Sequence, residues 1–225
     1  MESVKNLPVS LGIHLPRGIF GQHRRVEKLL QRAKNHGVHL AYCPTLDGVA
    51  IAKKCGMTVF GGFALNVFNS DTVGVLERLN VKAITLSPEL TAAQAQQITA
   101  TVPIGVWAYG RLPLMLTRNC PIRNVKTCDA CQNRSSLTDR MGVSFPVRCR
   151  FGCSEVLNSR PIDLADRLQA LSGLDFIELH FTTETHAEVC DTLKRYREGR
   201  PCHAPDSRKR HLRRRRLRKR TEVCS

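Results

Sequence analysis

The chain has 225 residues, 42% of them hydrophobic, which is enough apolar side chain for a sizeable core and excludes disorder throughout. No apolar run reaches the ~18 residues a membrane span needs, and the opening MESVKNLPVSLGIHLP has no apolar leader, so a cytoplasmic protein without a membrane partner is expected. The formal charge of +16 is concentrated in residues 208–220, RKRHLRRRRLRKR, where ten of thirteen are Lys or Arg.

In chain order, Val9 to Pro16 reads as a short strand, and HRRVEKLLQRAKNHG places apolar residues at helical spacing before a stop at Gly37. VHLAYCP is a second strand, LDGVAIAKKCG a helix closed by Gly56, and Met57 to Ser70 a strand that spills into an Asn/Ser turn. DTVGVLERLN is a helix with an Asp cap, Val81 to Leu90 a buried strand, and TAAQAQQITATV a further helix. Pro103 to Gly110 is a strand, PIDLADRLQALSG a helix, LDFIELHF a strand, and HAEVCDTLKRYREG a last helix ended at Gly199.

Strands and helices alternating in units of roughly 20 to 25 residues define an α/β fold with a parallel sheet or barrel. Neither a Gly-x-Gly-x-x-Gly nor a Walker sequence occurs, so a nucleotide-binding Rossmann domain has little support. The expectation is a partial (β/α)8 barrel of the TIM type, its C-terminal half to two-thirds, because a full barrel takes around 250 residues. The barrel domain is assigned to residues 1–199, with a Cys-rich insertion at 118–160, and residues 200–225 to a disordered basic tail. Half a barrel exposes strand edges, so a companion chain or a second copy is expected to complete it.

Five of the ten cysteines fall between Cys120 and Cys153. Cys128 and Cys131 form a C-x2-C pair, and Cys149 and Cys153 a C-x3-C pair seventeen residues later. A hairpin between the pairs brings thiolates together, as soft metal centres require, so an iron–sulfur cluster or a zinc ion is expected on Cys120, Cys128, Cys131, Cys149 and Cys153. A zinc knuckle would use Cys128, Cys131, Cys149 and Cys153 and leave Cys120 aside. A disulfide framework is disfavoured in a chain that reads as intracellular, and Cys43, Cys55 and Cys190 read as small buried side chains.

VWAYGRLPLMLTRNCPI at Val106 to Ile122, followed by LTDRMGVSFPV and VLNSRPIDLADRL, resembles the collagenase-like peptidase family, the U-thirty-two peptidases. The likeness runs from residue 9 to about 198 and includes PRGIF and ALNVFNS, which look like the barrel part of the longer members. It implies a barrel, and either peptidase activity, as the family name says, or hydroxylation of an RNA pyrimidine or a quinone-precursor ring with a four-iron four-sulfur cluster. Laid on the family signature, Tyr109 falls at its His, Gly105 at its first Glu, Pro113 at its first Cys and Cys120 at its second, while Cys131 matches the third. Cys128 and either Cys149 or Cys153 are then available in place of the two missing ligands.

No HExxH helix or Gly-x-Ser-x-Gly elbow supports hydrolysis. Glu178 and His180 share one face of their strand by its two-residue period, so both can point into a barrel mouth as candidate catalytic groups. A structural His is the competing reading of His180. Glu89 stands at a strand end, where it also reads as a first-turn helix acid. Arg111 and Arg118 flank the ligand segment and suit a cluster's negative charge or a phosphate. The basic segment 208–220 suits RNA phosphates, and a non-catalytic module with structural zinc and this RNA-binding arm is a further expectation.

Overall fold

The computed structural model describes residues 9–199. The domain boundary at residue 200 and the basic segment 208–220 lie outside the described residues.

The alternation of hydrophobic strands and amphipathic helices produces a parallel sheet. Strands β1 (Gly12–His14), β2 (Leu40–Cys43), β3 (Thr58–Gly61), β4 (Val81–Thr85) and β5 (Ile104–Gly110) lie side by side in chain order. The intervening chain supplies helices α1 (His23–Asn35), α2 (Leu46–Lys54), α3 (Ser70–Arg78) and the single turn α4 (Ala92–Ala95). The helices start where short polar side chains satisfy free backbone N–H groups: Thr45 accepts from Gly48, Asn69 from Thr72, and Thr91 forms a capping box with Gln94. Val26 and Leu30 on α1 and Val73 and Leu76 on α3 are buried in one core with Val59, Ile84 and Leu86 of the strand region. Full burial of a side chain of this kind contributes about 2 kcal/mol.

After β5 the chain leaves the parallel sheet and builds a second one. Strands β6 (Pro113–Thr117), β7 (Ser135–Thr138), β8 (Ser144–Arg150) and β9 (Cys153–Leu157), with the short helix α5 (Cys128–Cys131), form an antiparallel sheet in the order β6-β9-β8-β7. The two-residue strand β10 (Ile162–Asp163) then pairs antiparallel with the end of β5, Ile162 opposite Gly110. Strand β11 (Phe176–His180) joins β5 in parallel, and α6 (His186–Glu198) closes the described chain with a Thr185–Glu188 capping box and a left-handed Gly199.

The six parallel strands curl into a half-barrel, and the edge strands β1 and β11 meet across its interior through His14 and His180, whose ring centroids are 5.4 Å apart. No helix among the described residues is long and apolar enough to cross a membrane.

Two segments depart from the sequence reading. The helix read in TAAQAQQITATV lasts one turn, because the β-branched Ile98, Thr99, Thr101 and Val102 and the following Pro103 work against helical backbone. The helix read in PIDLADRLQALSG is instead β10 followed by 3-10 turns at Ala165–Leu171 with a break at Arg167. Its backbone is drawn to the sheet by Tyr196, whose hydroxyl donates to the Ala108 carbonyl at 2.7 Å and accepts from the Leu164 N–H at 2.9 Å. Asp163 also holds Arg195 at 2.8 Å.

Candidate functional site

The C-terminal ends of the parallel strands carry rings and polar groups that converge inside the curl. His14 closes β1 and stacks on Tyr42 of β2 with centroids 4.6 Å apart. Trp107 of β5 stacks on His180 of β11 at 4.0 Å and 18°. Phe63, just after β3, meets the Trp107 ring edge-on at 4.5 Å. The period of β11 places Glu178 on the same inner face as His180, and His180 Nε2 pairs with Glu178 Oε1.

The backbone at this end leaves little freedom. Gly110 has φ +126, and a Cβ there would overlap the His180 carbonyl. A side chain at Gly62 would overlap the Tyr42 ring, whose hydroxyl accepts from the Phe63 N–H at 3.1 Å.

The electrostatics separate the two histidines. Burial first, then the charges of His180 and Arg150, push His14 down to about 4 against the opposing charge of Glu178. Burial works against ionising Glu178, but hydrogen bonds from His180, Thr85 and Tyr42 outweigh it and hold the carboxyl below its usual range. Burial, and then the Glu178 charge, push the Tyr42 phenol well above its usual value. Among the described residues His14 Nδ1 and Trp107 Nε1 are buried without a hydrogen-bond partner, so the interior presents two ring nitrogens to a polar guest.

A cavity of about 390 Å³ opens above these rings, between the strand ends and the antiparallel sheet. Arg17, Arg111, Arg148 and Arg150 stand on its walls, with Glu155 and Cys153 among them. Arg17 binds Glu155 at 3.3 Å, which ties the loop after β1 to β9. Arg111 is anchored by the carbonyls of Asn158 and Ser159 and by the Thr183 hydroxyl, at 3.1 Å from the latter.

The thiols lie on the antiparallel sheet and its loops. Cys120 Sγ and Cys149 Sγ are 3.8 Å apart, and Cys149 reaches the Ser154 hydroxyl at 3.2 Å. Cys128 and Cys131 sit on α5, where Cys131 packs against Ile122, Val147 and Val156. A depression of about 610 Å³ is lined by Cys120, Cys128, Cys149 and Cys153, beside Arg118. Arg118 lies over the Phe20 ring at 5.5 Å. Buried Cys153 borders both this depression and the mouth cavity.

Slight burial opposes ionisation of Cys120, but bonds from Ser154, the Ile122 and Arg123 backbone and Cys149 prevail and lower it. The Ser135 hydroxyl lowers Cys131, while burial raises Cys149 and Cys153.

Thiolates on one tetrahedral zinc stand about 3.8 Å apart, given Zn–S bonds of about 2.3 Å. Cys120 and Cys149 meet that spacing, but among the described residues no group of three or more His, Cys, Asp or Glu side chains is placed to hold a metal. Four of the five thiols border one depression, and Cys131 packs beside it against Ile122, Val147 and Val156.

Glu178 and His180 stand together at the mouth, with Arg111 on its wall. Glu89 is exposed in the turn before α4, and Tyr109 faces Phe181 and Tyr196 rather than the cavity. Sequence reasoning passed over His14, Tyr42, Trp107, Arg17, Arg148 and Arg150. The signal for the first two was present, since His14 and Tyr42 each stand within the last two residues of a strand, whereas Trp107 is in the middle of β5. No family model, curated protein or solved structure matches the chain.

Proposed function

We propose that this chain is an enzyme of the collagenase-like peptidase type that hydroxylates a planar aromatic ring, such as an RNA pyrimidine, at the mouth of a partial TIM-type barrel. The observation that carries the reading is the half-buried Glu178–His180 pair beneath a ring-lined cavity with four arginines on its wall. In hydroxylation a ring carbon gains an oxygen atom from a two-electron oxygen-donor co-substrate and then loses its proton to restore aromaticity. His180, oriented by Glu178, accepts that proton and can return it to the new oxygen. Trp107 and Phe63 supply the flat apolar walls that hold a ring and exclude water, with Tyr42 packed behind His14.

The iron–sulfur cluster belongs to the same proposal, with Cys120, Cys128, Cys131 and Cys149 as ligands, Cys153 as an alternate, and zinc as the alternative metal. A bound cluster would supply electron transfer, and the thiols must draw together to hold it. A peptidase is less well supported, because a nucleophile bonded to His180 is needed and among the described residues its ring bonds Glu178. RNA contact by the basic segment 208–220 and a cytoplasmic location complete the reading.

The test is anaerobic purification, analysis of iron and acid-labile sulfide, and mass spectrometry of RNA incubated with the protein and an oxygen donor. A product heavier by one oxygen, lost roughly 100-fold in Glu178→Gln and His180→Gln, is expected. Peptide cleavage by metal-free protein, without oxygenated product, would overturn it.

A further inference from the structure

The mouth cavity has an excess of positive charge that its own walls do not neutralise. Of the four guanidinium groups on it, Arg17 is paired with Glu155, and Arg111 is committed to main-chain carbonyls and Thr183. Arg148 and Arg150 have no carboxylate partner among the described residues. They stand two residues apart on β8, so the strand period sends both to the same face, the one that covers the cavity. The charge of Arg150 reaches into the curl, where it contributes to keeping His14 unprotonated. The other nearby carboxylates are engaged elsewhere, Glu178 by His180 and Glu184 by the Thr182 and Thr183 backbone N–H groups.

A second opening continues from Arg148. It is a groove of about 840 Å³ between the β7–β8 hairpin and the loop before α6, bordered by Ser135, Ser136, Thr182, Thr183 and Thr185, and by Glu184, whose carboxylate accepts from the Thr182 and Thr183 backbone N–H groups. Hydroxyls around an arginine suit the oxygens of a sugar-phosphate rather than an apolar group.

We infer that Arg148 and Arg150 form a phosphate subsite over the barrel mouth, which receives the phosphate of a nucleotide whose base lies on the His180–Trp107 stack. The inference rests on the proposed ring-modifying function and names the feature that separates substrate from free base. The two guanidiniums supply the forked donors that match phosphate oxygens, and Arg111, held by uncharged partners, adds a third positive group to the wall. The cavity of about 390 Å³ has room for one nucleotide unit, and a longer strand leaves through the groove at Arg148.

Trp107 is the chain's single tryptophan, so its fluorescence reports on this site alone. The full chain is titrated with uridine monophosphate, uridine and inorganic phosphate. The monophosphate should bind at least roughly tenfold tighter than uridine, lose that advantage as salt rises, and be displaced by inorganic phosphate. Arg148→Gln with Arg150→Gln should bring the two ligands to equal affinity while uridine binding and the melting temperature stay unchanged. Should the double variant fail to fold, the salt slope and the phosphate competition of the unaltered chain decide.

Equal affinity for uridine and its monophosphate, or no competition by phosphate, overturns the subsite and leaves the ring-modifying function standing. A tenfold preference that depends on the two arginines, together with absence of oxygenated product from loaded protein, keeps the subsite and overturns that function.

Discussion

The two sheets of this chain hold their reactive side chains in opposite ways. In the parallel sheet, His14, Tyr42, Trp107, Glu178 and His180 are stacked or bonded to one another, and each is fixed by a strand whose neighbours fix it in turn. In the antiparallel sheet the thiols are dispersed over strand, loop and a single helical turn, and Cys120 and Cys149 are the pair in contact. The mouth is thus prepared before anything binds, at the cost of burying polar groups without partners. The cysteine sheet is held by few buried apolar groups, chiefly Ile122, Val147 and Val156.

The largest way to break this contrast is at the backbone of the mouth. Gly110→Ala puts a Cβ against the His180 carbonyl at a left-handed φ, and should cost about 3 to 5 kcal/mol in denaturant unfolding while displacing His180. A loss below about 1 kcal/mol would mean that β5 and β11 are not locked as described.

Next in size is acid. Unfolded His14 takes up a proton near pH 6.5 that the folded protein refuses until about 4, so its share of stability is complete above pH 6.5 and drains away on acidification. Roughly 3 kcal/mol should be lost across that window, since each pKa unit is worth about 1.4 kcal/mol. The lowered Glu178 acts with the same sign at lower pH, its contribution fading as the carboxylate becomes protonated. His14→Phe, which retains a ring against Tyr42, should flatten the profile between pH 6.5 and 4 in urea titrations. An unchanged slope would remove His14 as its source.

The smallest effect is on the other sheet. Cys149→Ser in metal-free protein should change stability by less than about 1 kcal/mol, because its thiol is exposed and the Asn133 side chain still receives the backbone N–H at 2.6 Å. Thiol labelling sharpens the point: exposed Cys128 and Cys149 should react roughly 100-fold faster than buried Cys43. Uniform protection of Cys120 and Cys149 before any metal is added would show a preformed centre and erase the contrast.

What the sequence revealed follows the range of each physical signal. Apolar periodicity is local, so the alternation of strands and helices was legible, and Glu178 with His180 could be placed on one face from spacing alone. The pairing of β11 with β5 is not local, since the whole antiparallel sheet lies between them, and without it the Trp107–His180 stack cannot be seen. Arg148 and Arg150 were hidden for a related reason: they sit among cysteines, and their role depends on β8 folding back over the strand ends. Spacing put five thiols in one segment, but loop lengths limit distance without fixing direction, so the contact of Cys120 with Cys149 could not be read from it. Asp163 and Tyr196 show the opposite failure, where a plausible helix yields to one hydroxyl bridging two segments.

The pairing of Ile162 with Gly110 has an architectural consequence. Everything from residue 111 to 161 departs and comes back at neighbouring positions, so the cysteine sheet is a cassette inserted at one point of the scaffold and buttressed by Arg17 and Gln22 from the loop after β1. A short turn spliced across that gap would leave the register of the parallel strands untouched, and the same scaffold can accept a different lid without relearning how to fold.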